Sequence, residues 1–262
     1  MADRILGRIP DDVPIYHGPI EIVCHKGANE FAPENTFAAA QICIDWAMDY
    51  VEVDVNTSKD GVLYILHGPM VDHTTNGTGS FAELMSDEID HLDAGSWFSP
   101  DFGGEKIPRL TPYLQWIKGK AKVFFDVKRA DPKILIDLVY QLGMASDCFF
   151  WSGDSEWALA FRSLNRELQL KINVQTPEEA IEAHRRYRAN IVEVRLEHMN
   201  RPLLNVCRQL GLKVMIYHPE KEPEVFRQVL QWGVDMVNVN YGDVFAKTAR
   251  AFYSHRFPDT PS

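Results

Sequence analysis

Eight short runs rich in β-branched and aromatic residues recur along the 262-residue chain, with helix-like stretches between most of them. They are 21–25 (EIVCH), 50–55 (YVEVDV), 121–128 (AKVFFDVK), 148–152 (CFFWS), 168–174 (LQLKINV), 191–197 (IVEVRLE), 212–218 (LKVMIYH) and 235–240 (DMVNVN). Runs this short and apolar read as strands covered on both faces, and alternation with helices calls for a parallel sheet. Helices are expected over 36–48, 131–142, 154–165, 177–187, 201–210 and 222–232. Asn35 or Thr36, Asp154, and Thr176 before Pro177 offer N-caps, while Gly143, Gly211 and Gly233 offer left-handed stops. Eight such units predict an α/β fold of the TIM (β/α)8 barrel type. The structural rival, an open doubly wound sheet, lacks the GxGxxG or Walker motif that would support it.

One region breaks the rhythm. From Gly61 to Leu110 the chain carries an extra strand-like run, VLYILH, and then the turn-rich stretches TTNGTG and DAGSWFSPDFGGEKIPRL. That is too long for a tight βα loop, so residues 61–110 are expected to form a small insertion after the second strand, packed over the barrel mouth. Neither repeats nor a low-complexity linker divide the chain, and 1–262 reads as a single domain.

Charge narrows the function. Lys and Arg number 27 against 37 Asp and Glu, a net charge of −10, which argues against nucleic acid and anionic membranes as partners. The start, MADRILGRIPDD, has no apolar h-region, and no run approaches the ~20 apolar residues of a membrane span. Cys24, Cys43, Cys148 and Cys207 form no CxxC pair and read as reduced, buried thiols. A cytoplasmic protein with no stable membrane association is the expectation.

Barrel enzymes build their sites at the C-terminal ends of strands. Here those ends carry His25 with Lys26, Glu52 with Asp54, His67, Asp126 with Lys128, Glu193 with Arg195, and Tyr217 with His218. Glu52 and Asp54 are two residues apart on one strand, so they face the same side ~6.6 Å apart and repel unless a positive group lies between them. With Asp126 they make three hard oxygen donors, a set that suits Mg2+ or Ca2+, with Mn2+ as a further choice, better than zinc. The bland alternative pairs these acids with Lys26, Lys128 and Arg195 in a structural network. Two histidines on opposite sides of a metal-bound phosphoryl group can serve as general base and general acid. A metal-dependent amidohydrolase on the same barrel would want an H-x-H pair, and the chain has none.

At these residues the sequence resembles the glycerophosphodiester phosphodiesterase family. HKGANEFAPENTFAAA, YVEVDVNTSKDGVLYILH and DHTTNGTG resemble that family's opening motifs in order and spacing, and FFDVK resembles its later metal-and-lysine strand. The likeness is close over 21–128 and collinear to about residue 245. It implies a TIM barrel with a small insertion, one divalent metal ion and hydrolysis of small-molecule phosphodiesters. It also implies His25 and His67 as the acid–base pair, Glu52, Asp54 and Asp126 as metal ligands, and Lys26 and Lys128 as phosphate contacts. Glu34 reads as a loop organiser.

Departures from the family pattern gather around the phosphate and the pocket wall. Lys26 stands where the family usually has Arg, Gly68 where it has Asp, and Asp126 where it commonly has Glu, although the related spider-venom phospholipases D are similar in using Asp. IYHPEKEP replaces a usual Trp-Thr-Val-Asn. Members also split sugar phosphodiesters of the agrocinopine type, and Trp151, Glu193, Arg195, Tyr217 and Trp97 would suit a sugar. A non-catalytic phosphate- or sugar-binding relative is the reading from another class.

Overall fold

The structure, a computed structural model, describes residues 9, 10 and 12–256; most of the opening stretch considered above lies outside them. Strands β1 (Glu21–Cys24), β2 (Tyr50–Thr57), β3 (Leu63–Ile65), β4 (Lys122–Val127), β5 (Cys148–Trp151), β6 (Gln169–Asn173), β7 (Ile191–Arg195), β8 (Lys213–His218) and β9 (Met236–Val239) form one sheet, ordered β1-β9-β8-β7-β6-β5-β4-β2-β3. A further parallel pairing sets Val23 against Tyr50 and Cys24 against Val51, which closes β1 onto β2. Among the described strands only β3 is antiparallel, to β2, so the closed wall consists of the other eight. The chain forms the expected TIM barrel.

Period-two alternation sorts the wall residues. One parity is apolar throughout: Ile22, Val51, Val53, Val123, Phe125, Phe150, Leu170, Val192, Val194, Val214, Ile216 and Val237 join the surrounding helices in the main core. The other parity faces the barrel axis. There Val23, Tyr50, Phe124, Phe149, Ile191, Met215 and Met236 form an inner core. Below it, Glu21 pairs with Lys122 at 2.8 Å and Lys213 at 2.7 Å. Above it the same parity turns polar, and that end is the mouth.

Local chemistry sets the helix ends. Thr36 caps Phe37–Asp45 by accepting from the Ala39 N–H, and Asp154 and Thr176 cap Ser155–Leu164 and Pro177–Tyr187 in the same way. Gly211 and Gly233 take the left-handed conformation at the C-caps of Arg201–Leu210 and Pro223–Trp232. The first helix stops at Asp45 and not at residue 48, with Ala47 left-handed at φ 54°. Strand β7 stops at Arg195 because Leu196–His198 winds into a 3-10 turn. Helices Ser86–His91, Leu110–Ile117 and Gly242–Arg256 have no counterpart in the sequence reading. In the second, Pro112 sits in the first turn, where its missing N–H costs nothing.

Between β2 and β4, Tyr64, Leu66, Val71, Phe81, Ile89, Ala94 and Ile107 pack into a small hydrophobic cluster of their own. The Tyr64 hydroxyl bonds Asp90, which also receives the Arg109 guanidinium through two N–H groups. Among the described residues, no helix is long and apolar enough to cross a membrane.

Phe150 joins wall to helices. It is fully buried, stacks on Phe125 at 4.7 Å between centroids and meets Phe161 at 4.9 Å. Phe150→Ala is expected to cost about 3–5 kcal/mol, read from the denaturant midpoint. A cost below about 1 kcal/mol would mean that this ring does not carry the packing ascribed to it.

Candidate active site

Three carboxylates meet at the barrel mouth. Glu52 and Asp54 come from β2 and Asp126 from β4, and the parallel register sets Asp54 beside Asp126. One oxygen of each lies within 4.8 Å of the other two, and all three side chains are buried.

The loop after β1 is shaped to hold them. Lys26 and Asn35 are left-handed, at φ 57° and 61°, a conformation that asparagine tolerates better than lysine. The Lys26 backbone N–H donates to Glu52 Oε2 at 2.8 Å. Asn35 grips Asp54 twice: its Nδ2 donates to Asp54 Oδ2 at 2.7 Å, and its Oδ1 accepts the Asp54 N–H at 3.1 Å. Gly27 is required between them, since φ is +80° and a Cβ there would lie 2.8 Å from the Ala39 Cβ. Capping therefore falls to Thr36, while Asn35 braces the acid cluster.

Positive charge is short here. Lys128 Nζ lies 2.7 Å from Asp126 Oδ2 and 3.1 Å from Asp54 Oδ1. Burial opposes its charge, but the two carboxylates outweigh burial and hold the ammonium above lysine's ordinary value. One ammonium does not balance three acids. Burial, then the charges of Asp54 and Asp126, push Glu52 well above the usual carboxylate range; burial and Asp54 push Asp126 to about 6. Asp126 Oδ1 is buried without a hydrogen-bond partner among the described residues. Buried, under-compensated oxygen donors with a spare lone pair fit a hard divalent cation.

Two histidines flank the cluster. His25 follows β1, its backbone N–H donating to Val239 O at 3.0 Å. Its Nδ1 lies 2.8 Å from Asn240 Oδ1, an acceptor, so Nδ1 carries the proton and Nε2 keeps its lone pair, 3.6 Å from Glu52 Oε2. Burial lowers the His25 pKa to about 4. His67 arrives from the hairpin after β2, fixed by the Leu66 N–H donating to Asp54 O at 2.9 Å and Asn56 Nδ2 donating to Leu66 O at 2.8 Å. Burial draws its pKa below the ordinary value as well.

Each histidine lines its own cavity. A space of about 290 Å³ is bounded by His25, Glu52, Asp126, Trp151, Lys171, Glu193, Arg195 and Tyr217. A second, of about 480 Å³, is bounded by His67, Lys128, Asn56, Phe81 and Trp151. Trp151 lines both. An anion held at the acid cluster by a cation could thus exchange protons with one imidazole on either side.

Other expected residues vary in placement. Glu193 lies 3.1 Å from Lys171, Tyr217 meets His25 edge-on at 5.2 Å, and Arg195 stands at the rim, mostly exposed. Lys26 Nζ donates to Glu34 at 3.1 Å and 3.3 Å, so its charge is already engaged. Trp97 lines neither cavity, its indole N–H donating to Ala94 O. His218 packs against Phe226 and Glu222. The sequence reading passes over Asn240 and Lys171. Both are polar residues at the inward parity of their strand runs, beside Asn173 and Asn238 at the same parity, and that pattern is the available signal.

A sequence model of the glycerophosphoryl diester phosphodiesterase family matches residues 25–244. A glycerophosphodiester phosphodiesterase from Agrobacterium tumefaciens str. C58, known by crystal structure, is 38% identical with a TM-score of 0.83, covering 87% of this chain and 99% of that one. YhdW of Bacillus subtilis is 28% identical over 87% of this chain and 98% of its own length. A glycerophosphodiester phosphodiesterase from the same organism is 25% identical over 88% of this chain and 86% of its own length.

Proposed function

From the premise that the chain belongs to the glycerophosphoryl diester phosphodiesterase family, and is a phosphoric diester hydrolase, we propose that it cleaves a small glycerophosphodiester to a phosphomonoester and an alcohol. The observation that carries this is the buried carboxylate cluster, its ligating oxygens within 4.8 Å, with imidazoles facing separate cavities on its two sides. Glu52, Asp54 and Asp126 would hold one divalent ion, Mg2+ or Ca2+ with Mn2+ as a further choice. Bound there, the ion neutralises the diester's charge and polarises its phosphorus.

The chain's own groups do the rest. Lys128 contributes a point charge to a free phosphoryl oxygen. His25, neutral and with Asn240 holding Nδ1–H, takes the proton of the attacking oxygen on Nε2. His67, less buried, gives a proton to the leaving alkoxide as its bond to phosphorus breaks. The attacker is water or a neighbouring hydroxyl of the substrate; the second route passes through a cyclic phosphodiester. Lys26, its ammonium paired with Glu34, supports the phosphate end by holding Glu52 in place through its backbone N–H.

A second reading has an observation of its own. The cavity of about 290 Å³ is lined by Trp151, Asn173, Glu193, Arg195 and Tyr217, aromatic and hydrogen-bonding groups that suit a sugar ring, so a sugar phosphodiester of the agrocinopine type is the alternative substrate. The test is turnover of glycerol- and sugar-linked phosphodiesters with product identification, with added divalent ion and after exhaustive chelation. Turnover is expected to need the ion. Absence of turnover on every diester in the presence of metal would leave a phosphate- or sugar-binding protein instead.

A further inference from the structure

Lys171 is almost fully buried and has no part in the proton transfers above. It stands in the middle of β6, where Leu170 and Ile172 pack against the helices, so its side chain turns to the barrel axis. Its ammonium lies 3.1 Å from Glu193 Oε1, 4.4 Å from the centre of the Trp151 ring and 5.1 Å from that of Phe124. All four residues line the cavity beside the acid cluster.

Aromatic faces beside a carboxylate form a seat that attracts cations, quaternary ammonium groups above all. Here the chain's own lysine sits in it, and Glu193 is neutralised by the same group. A buried ion pair adds little stability over an apolar replacement, so the effect of this one falls on what else can enter the cavity. We propose that Lys171 is a specificity-determining residue. With Glu193 it fills the cation seat on Trp151 and Phe124, so the cavity rejects phosphodiesters whose alcohol ends in an ammonium and admits those ending in neutral hydroxyls. This rests on the phosphodiesterase reading above, with the cavity taking the alcohol. A choline end would set its charge against the lysine and lose both ring faces. A polyol end finds acceptors on Glu193 and both donors and acceptors on Asn173 and Tyr217.

The test compares kcat/KM for glycerophosphoglycerol and glycerophosphocholine in wild type, Lys171→Met and the Lys171→Met/Glu193→Gln double variant, with choline binding followed by calorimetry in all three. The double variant matters because the single one leaves the half-buried Glu193 carboxylate without its lysine. Wild type is expected to favour the glycerol diester by about tenfold or more and to show no choline binding; the variants should narrow the preference by about tenfold and bind choline. Choline binding by wild type, or a preference unmoved in a double variant that melts normally, overturns the proposal. If no diester is cleaved, bis(p-nitrophenyl) phosphate included, the reading of the reaction fails, and choline binding alone still decides the role of Lys171.

Discussion

Glu52→Gln is expected to reduce phosphodiester turnover by at least about a hundredfold, while the metal-free protein melts at the same temperature or higher. The amide has the volume of the acid, and its oxygen can still accept the Lys26 N–H, so no cavity opens and that backbone donor keeps its acceptor. What disappears is one negative charge from a place with three carboxylates and a single ammonium. Glu52's pKa is raised in the folded state, chiefly by burial, so the folded protein binds a proton that the unfolded chain has released. Ionised Glu52 therefore costs stability above the unfolded-state pKa, and the cost grows until pH passes the folded value. Gln removes that cost. Melting curves in chelator between pH 4 and 8 should show wild type falling further than the variant as pH rises. Added divalent ion should raise the wild-type melting temperature well above its effect on the variant. A variant that melts several degrees lower in chelator yet still gains full stabilisation from the ion would remove Glu52 from the ligand set.

The second large effect belongs to the histidines. His25→Ala and His67→Ala should each lose roughly 10²- to 10⁴-fold in kcat, the range for a positioned base or acid, with ion binding retained in both. Substrate chemistry then separates the roles. A p-nitrophenolate leaves without a proton, so a variant lacking only the acid should recover on bis(p-nitrophenyl) phosphate, and a variant lacking the base should not. His67→Ala is expected to recover and His25→Ala to remain impaired, because His25 is the imidazole whose Nδ1–H is tied to Asn240 and whose burial keeps it neutral. Recovery by His25→Ala instead would reverse the assignment. Near-normal turnover of a glycerophosphodiester by either variant would return that histidine to a packing role.

Much of this is legible in the sequence. Wall strands announce themselves because both faces of a parallel barrel are covered, so carboxylates and lysines at inward positions stand out against Val, Ile and Phe. Glu52, Asp54, Asp126 and Lys128 could be picked in that way, and the structure brings them together. What was hidden depends on contacts between distant segments. Asn35 reads as a cap because a short amide before a helix usually is one; its pairing with Asp54 needs the left-handed turn that only the folded loop supplies. Lys26 reads as free charge until Glu34 is seen beside it. Asn240 and Lys171 carry the same period-two signal as the acids. Their runs carry other polar residues as well, so sequence alone does not separate them from satisfied neighbours.

The hairpin that brings His67 has a small hydrophobic cluster apart from the barrel's, built on Tyr64, Phe81 and Ile89, whereas His25 follows a wall strand tied to its neighbours on both sides. The two histidines proposed to carry protons thus stand on separately packed parts of the chain. Gentle heating or low denaturant can open the hairpin while the barrel stays closed, so catalysis should fade before the barrel melts, and amide exchange around Leu66 should outpace exchange around Val23. The proposed histidine pair would then serve as a built-in gauge of how firmly the smaller unit is latched to the larger.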